Sequence, residues 1–221
     1  MEKLSTLSIA SSALPKVEVL EWGRLGYEVA HHKQLELLAQ RQKGKCEDAL
    51  VLVEHDHVYT LGRRKESRSN VLSAGEVPVV EVERGGDVTY HGPGQLVVYP
   101  VLLLREGEKD LHGFLRNLEE AMIATCSAFG ILAGREPGKT GVWREGRKLA
   151  SIGIACRKWV TFHGLALNVH PDLDYFRRIN PCGFSSSIMT SMEVEAGAAI
   201  AFDEVKKELI ARLLEFLKRE L

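Results

Sequence analysis

An α+β fold is the expectation for this chain, and three observations carry it. Helical and strand patterns mix along the sequence without the strict βα alternation of a doubly wound sheet. Residues 140–169 are a β-rich stretch broken only by short turns. Residues 110–129 and 202–221 repeat apolar side chains at helical spacing. At 221 residues the chain is long enough to bury a substantial core without disulfides or metals.

Taken in order, residues 20–43 read as a first amphipathic helix, with Tyr27, Ala30, Leu35, Leu38 and Ala39 near helical spacing and Gly44 as its stop. Residues 49–53 are a short apolar, β-branched run, read as a buried strand. The valine-rich residues 77–82 and the apolar residues 96–104 are further strands, and Pro100 marks an edge or a break in the latter. Leu111, Leu115, Leu118, Met122, Ile123 and Phe129 set the period of the second helix, which Gly130 ends. Residues 140–143 and 148–157 form a hairpin about Glu145-Gly146, and residues 159–169 add a strand. Residues 173–176 and 180–184 read as loop. Residues 202–221 close the chain as a helix, with Asp203 near its start and Lys218 and Arg219 in its last turn, where they suit the dipole.

Composition excludes several functions. Lys plus Arg is 29 and Asp plus Glu is 30, a balance that argues against a nucleic-acid binder. No apolar run reaches the roughly 20 residues that cross a bilayer. Residues 1–15 are small and serine-interrupted, with Glu2 beside Lys3, and lack the continuous apolar core of a secretion signal. They are expected to be a poorly ordered leader to one domain spanning residues 16–221, in the cytoplasm, where thiols stay reduced. The nearest pair of the four cysteines, Cys156 and Cys182, is 26 positions apart, so no zinc or redox C-x-x-C motif is present.

Candidate chemistry gathers in a few places. Residues 84–95, from Arg84 to Gln95, hold four glycines and a proline, and end neither as a P-loop nor as a dinucleotide fingerprint. They form either a plain turn or a loop whose backbone N–H groups approach a ligand closely; Arg84 and His91 favour the ligand. Cys126 and Cys156 read as small buried hydrophobes. Cys182, between Pro181 and Gly183, lies outside any periodic segment, and a constrained turn presents a thiol to a pocket. A nucleophilic thiol with a free pKa of about 8.5 needs a base or a positive charge. His91, His163 and Lys148 are the candidates. Lys148 is either a surface lysine or a base in an apolar cleft, and His163 either a ligand-binding or a core histidine. Glu54-His55-Asp56-His57 lacks a third ligand at a telling distance and is not read as a metal site.

These blocks, in this order, resemble the lipoate-biosynthesis octanoyltransferases over roughly residues 17–210. The resemblance rests on Val58-Tyr59-Thr60-Leu61-Gly62-Arg63, Arg84-Gly85-Gly86, Thr89-Tyr90-His91-Gly92-Pro93-Gly94-Gln95, Gly141-Val142-Trp143, residues 148–153, His163-Gly164-Leu165-Ala166-Leu167-Asn168 and Pro181-Cys182-Gly183. It departs at residues 54–57, where the family more often has a proline pair. The resemblance implies a mixed β-sheet flanked by helices, similar to the catalytic domain of biotin and lipoate protein ligases. It implies Cys182 as acyl-carrying nucleophile and Lys148 as its partner. It implies a substrate pocket lined by Arg84, Gly85, Gly86, Asp87, Val88, Thr89, Tyr90 and His91, by Ala150, Ser151 and Ile152, and by His163, Gly164 and Leu165. No cofactor or metal is expected. The expected donor is octanoyl-acyl carrier protein. The acceptors are lipoyl domains of 2-oxoacid dehydrogenase E2 subunits and the glycine-cleavage H protein, with a monomeric enzyme. Basic clusters at Arg63-Arg64-Lys65 with Arg68, and at Arg144, Arg147, Lys148, Arg157 and Lys158, are expected to steer these acidic partners. Three rival readings are an ATP-dependent ligase on the same fold, an amidotransferase with a differently placed cysteine, and a non-catalytic carrier-binding module.

Overall fold

Residues 20–25 do not open the first helix. In the computed structural model, which describes residues 14–180 and 188–221, they belong to strand β1, Val17–Leu25. The parallel partner β2, Asp48–His55, supplies a ladder from Val17 against Asp48 to Leu25 against His55. That remote ladder outweighs local helical spacing. A bulge between Glu21 and Arg24 places Gly23 at φ +64°. Gly26 then separates β1 from helix α1, Tyr27–Gln42. The expected leader, apart from Leu14 and Pro15, lies outside the described residues.

The small strands β3 (Val58–Leu61), β4 (Val79–Glu81) and β5 (Thr89–His91) form a sheet of order β4-β3-β5. β5 lies inside the glycine-rich segment, so that segment is not simply a loop. The larger sheet adds β6 (Gln95–Val101), β7 (Gly134–Glu136), β8 (Lys139–Arg144), β9 (Arg147–Arg157) and β10 (Val160–Asn168) to β1 and β2. Its order is β1-β2-β6-β10-β9-β8-β7, antiparallel except for β1 with β2. The β8–β9 turn falls at Glu145-Gly146, both at positive φ, as the hairpin reading requires.

Helices α2 (Leu111–Ala128) and α4 (Phe202–Phe216) cover one face of this sheet. Their Leu118, Met122, Leu209 and Leu213 share a core with Leu50, Val98 and Leu165. The Asp110 carboxylate caps α2 by accepting from the His112 N–H. Ala30 of α1 packs on the other face against Val51, Val97 and Tyr99. Residues 173–176, expected as loop, belong to a short 3-10 helix, Leu173–Arg178, and a short α3 spans Met192–Ala196.

Helix α4 stops at Phe216, so Lys218 and Arg219 do not serve its dipole. Arg219 is buried instead. Its Nε donates to Asp48 Oδ2 at 3.0 Å and its Nη1 to Glu108 Oε1 at 2.7 Å, tying the C-terminus to β2. A full pair of carboxylates outcompetes a solvated position on a helix end.

Pro100 lies in β6, a central strand, and marks a break. The β6–β10 ladder ends at Val98 against Leu165, and the Thr161 hydroxyl donates to the Pro100 carbonyl at 2.7 Å. Gly164 sits at this crossing. A Cβ there would lie 2.0 Å from the Val98 oxygen and 2.7 Å from Pro100 Cδ. Gly164→Ala is expected to destabilise the fold by about 3 kcal/mol or more, read as a lower urea midpoint. An unchanged midpoint would contradict the assigned contact.

Candidate active site

The two sheets, α1 and α2 enclose a cavity of about 790 Å³. Its apolar wall comes from Val97, Leu111, Leu115, Ile152, Ile154 and Leu165, and its polar wall from Arg84, His91, Lys148 and His163. Of the residues expected to line the pocket, Arg84, Gly85, Gly86, Asp87, Val88, Thr89, His91, Ser151, Ile152, His163, Gly164 and Leu165 do so. Tyr90 and Ala150 do not. Along β5, side chains alternate between faces, so Thr89 and His91 meet the cavity while Tyr90 points into the small sheet's own cluster. There its hydroxyl pairs with His57 Nδ1 at 2.7 Å and its ring stacks on Tyr175. Ala150 pairs with Val142 and Leu167 and is covered by the α2 and α4 core.

Arg84 is buried and anchored. Its Nη2 donates to the Thr60 carbonyl at 2.7 Å and to the Thr60 hydroxyl at 2.8 Å. The adjoining Gly85 N–H donates to the Ile154 carbonyl at 3.0 Å, which clasps the glycine-rich segment to β9. Gly153 makes this possible, since a Cβ there would lie 2.9 Å from both Arg84 Cδ and the Gly85 oxygen.

Lys148 is not a surface lysine: it is 5% exposed, with Nζ 5.2 Å from the centre of the Trp143 ring. Gly141 at φ +117° leaves room for it, because a Cβ there would lie 2.9 Å from Lys148 Cε. The segment that follows the undescribed residues 181–187 is fastened to this lysine's backbone. Met189 bridges to Lys148, and the Thr190 N–H donates to the Lys148 carbonyl at 3.0 Å.

A hydrogen-bond chain joins that point to the glycine-rich segment. His91 Nδ1–H donates to Gln95 Oε1 at 2.7 Å, Gln95 Nε2 to Asn168 Oδ1 at 2.9 Å, and Asn168 Nδ2 to the Thr190 carbonyl at 2.9 Å. Gln95 and Asn168 stood in the motifs without a role; here they fix one motif to the next.

His55, His91 and His163 are neutral at neutral pH. Burial pushes His55 and His163 down to about 4, and His91 well below its ordinary value. His55 Nδ1–H donates to the Leu25 carbonyl, so Nε2 accepts from the Tyr99 hydroxyl at 2.6 Å. Both nitrogens of His55 are thereby used, and His57 serves Tyr90, so the Glu54–His57 run is structural. His163 holds φ +55°, a conformation that costs a non-glycine residue about 1 kcal/mol or more and that is found where surroundings force it.

Three of the cysteines are poor nucleophiles. Burial raises the thiol pKa of Cys46 and Cys156, and pushes Cys126 up to about 12. Cys182 lies outside the described residues.

A family model described as the lipoyl protein ligase A/B catalytic domain matches residues 27–214. An octanoyltransferase of Geobacter metallireducens is 47% identical over 194 residues, covering 88% of this chain and 90% of the relative. An octanoyltransferase of Bacteroides thetaiotaomicron is 40% identical over 224 residues, covering 93% and 99%. The chain belongs to the octanoyltransferase family. It is an acyltransferase of octanoyl transfer in protein lipoylation, as the family resemblance implied. The fold is that of the ligases, as expected. A bipartite lipoate protein ligase of Thermoplasma acidophilum superposes with TM-score 0.71 at 18% identity over 94% of this chain and 86% of that one. A lipoate-protein ligase A bound with ATP gives 0.73 at 17% identity, over 94% and 87%. The biotin protein ligase of Aquifex aeolicus gives 0.55 at 14% identity, over 91% and 70%.

Relative to the expectations for an octanoyltransferase, the basic clusters are the main surprise. Arg144 and Arg147 both pair with the buried carboxylate of Glu195, Arg157 with Glu83, Arg68 with Glu81 and Arg64 with Asp87. Much of the positive charge counted along the sequence is neutralised within the fold. The steering field is correspondingly smaller than the sequence implied, although Arg63, Lys65 and Lys158 remain exposed. The sequence signals also missed Tyr27, Leu111, Leu115 and Trp143 as cavity residues. Tyr27, Leu111 and Leu115 come from helices read only for their periodicity, and Trp143 stood in the Gly141-Val142-Trp143 block with no role assigned to it. Among the described residues no helix is long and apolar enough to cross a membrane.

Proposed function

We propose that the enzyme takes an octanoyl group from the phosphopantetheine thioester of acyl carrier protein, holds it on Cys182, and delivers it to a lysine of a lipoyl domain. Cys182 loses its proton with the help of Lys148, and the thiolate attacks the thioester carbonyl. The new sulfur–carbon bond replaces that to the carrier thiol, which leaves with a proton. In the second half the lysine amine of the acceptor attacks the acyl-enzyme, forms the amide and releases the Cys182 thiol. Thioester-for-thioester exchange is nearly balanced and amide formation is downhill, so neither ATP nor a metal is needed. Acceptors are the lipoyl domains of 2-oxoacid dehydrogenase E2 subunits and the glycine-cleavage H protein. A single domain over residues 16–221, acting as a cytoplasmic monomer, suffices for this chemistry.

The reading rests on Lys148, a buried lysine on the wall of a largely apolar cavity, on a strand bridged by the segment that follows Cys182 in the chain. A positive charge there favours thiolate, and the amine passes a proton between thiol and leaving group. Trp143 adds a buried indole Nε1–H without a hydrogen-bond partner among the described residues, suited to a substrate carbonyl. The apolar wall receives the acyl chain.

Incubation with octanoyl-carrier protein and a lipoyl domain, without ATP, is expected to give the octanoyl amide. Free octanoate with ATP is expected to give none. The opposite pattern would assign the ATP-dependent ligase reaction to this chain.

A further inference from the structure

We propose that His31, His163 and Glu83 form a binding site for a divalent transition-metal ion of the zinc class. Such a site would hold its ion whether or not acyl transfer takes place. His31 Nε2 and His163 Nε2 both approach the same carboxylate oxygen, Glu83 Oε2, at 3.0 and 3.4 Å. All three donor atoms lie within 4.8 Å of one another. A tetrahedral zinc ion with donors about 2.0–2.1 Å away sets those donors about 3.3 Å apart. The two histidine–carboxylate spacings already match that value, and an ion would take the place of the two bridging protons.

Each donor is oriented from behind. The other carboxylate oxygen of Glu83 accepts from Arg157 Nη2 at 2.9 Å, which leaves Oε2 for the ion. The His163 backbone N–H donates to Gln34 Oε1 at 3.0 Å, and the residue's positive φ aims its ring. The His31 ring stacks on His163 on one side, at 5.4 Å, and on Tyr27 on the other, at 6.0 Å. The Arg157 contact is the kind of support that a metal-ligating carboxylate receives, and its loss weakens metal binding. Two imidazoles and one carboxylate are also the donor set zinc prefers over magnesium or calcium. The site is reachable: the side chains of His31 and Glu83 are 21% and 27% exposed, whereas His163 is buried at the cavity wall. His163 takes the ion through Nε2 as a neutral ring, its remaining proton moving to Nδ1.

The plain alternative is a hydrogen-bonded triad that holds no ion. Equilibrium dialysis of the full chain against zinc, with cobalt spectra in parallel, separates the two. The wild-type chain is expected to bind one zinc ion at these residues, and both His31→Gln and Glu83→Gln to weaken binding at least about tenfold. Glu83→Gln is isosteric and His31 lies on a helix surface; far-ultraviolet circular dichroism confirms that each variant is folded. The cobalt complex is expected to lack the near-ultraviolet band of a thiolate ligand. No binding by wild type, equal binding by both folded variants, or a thiolate band would overturn the proposal.

Discussion

Cys182→Ser is expected to lower kcat for octanoyl transfer by at least about a thousandfold, since a serine hydroxyl at neutral pH lacks the thiolate's nucleophilicity and the two halves of the reaction lose their shared intermediate. The effect should be specific to this cysteine. Cys126, on the inner face of α2, is fully buried in the core, and Cys46 and Cys156 are held toward the thiol form by burial. Serine at Cys46 or Cys156 should leave kcat within a few-fold of wild type. Steady-state rates of the three variants settle the point: equal losses would refute a single nucleophile, and a carrier-binding module without catalysis would tolerate the change at Cys182.

Lys148→Met is expected to cost about 10²–10⁴ in kcat while leaving KM for the carrier substrate nearly unchanged. Methionine keeps much of the side chain's volume against Trp143 and removes the charge and the proton. The residual rate of the variant should climb with pH toward the ordinary thiol pKa of about 8.5, because solvent then supplies the thiolate that Lys148 no longer promotes. Loss of fold alone would not produce that slope. Gly141→Ala tests the same group from behind, since its Cβ would press on Lys148 Cε. A pH-independent residual rate for Lys148→Met would argue that the lysine only binds substrate.

Much of the fold follows from local chemistry, and the exceptions have causes. The β8–β9 hairpin and β10 were legible because turn residues at Glu145-Gly146 separate apolar runs, and α2 because Asp110 caps a regular period that ends at Gly130. β1 was not legible: its apolar residues merge with those of α1 in any helical window, and its partner β2 lies more than 20 positions away in sequence. Arg219 misled because sequence order gives no view of Asp48 and Glu108 meeting at the C-terminus.

The site divides in the same way. Arg84, His91, Lys148 and His163 stand in recognisable motifs, and the cavity brings them together. Tyr90 was over-read because a contiguous motif conceals strand alternation. Leu111 and Leu115 carry no motif, and packing alone brings them to the cavity; Trp143 stands in a motif that does not by itself say which way the indole faces. Thr190 and Glu195 carry no signal beyond their residue type, yet Thr190 grips the Lys148 backbone and Glu195 accepts from the Thr190 hydroxyl. The paired arginines show the converse: a basic cluster in sequence becomes a set of internal ion pairs once Glu83, Glu81 and Glu195 are placed.

Whether Cys182 carries the acyl group can be read on the protein itself. Intact-protein mass spectrometry after incubation with octanoyl-carrier protein, without acceptor or ATP, reads it directly. One added octanoyl group is expected on the wild-type chain, released by hydroxylamine as a thioester, and none on Cys182→Ser. An octanoyl adduct that persists on Cys182→Ser would contradict the role of Cys182.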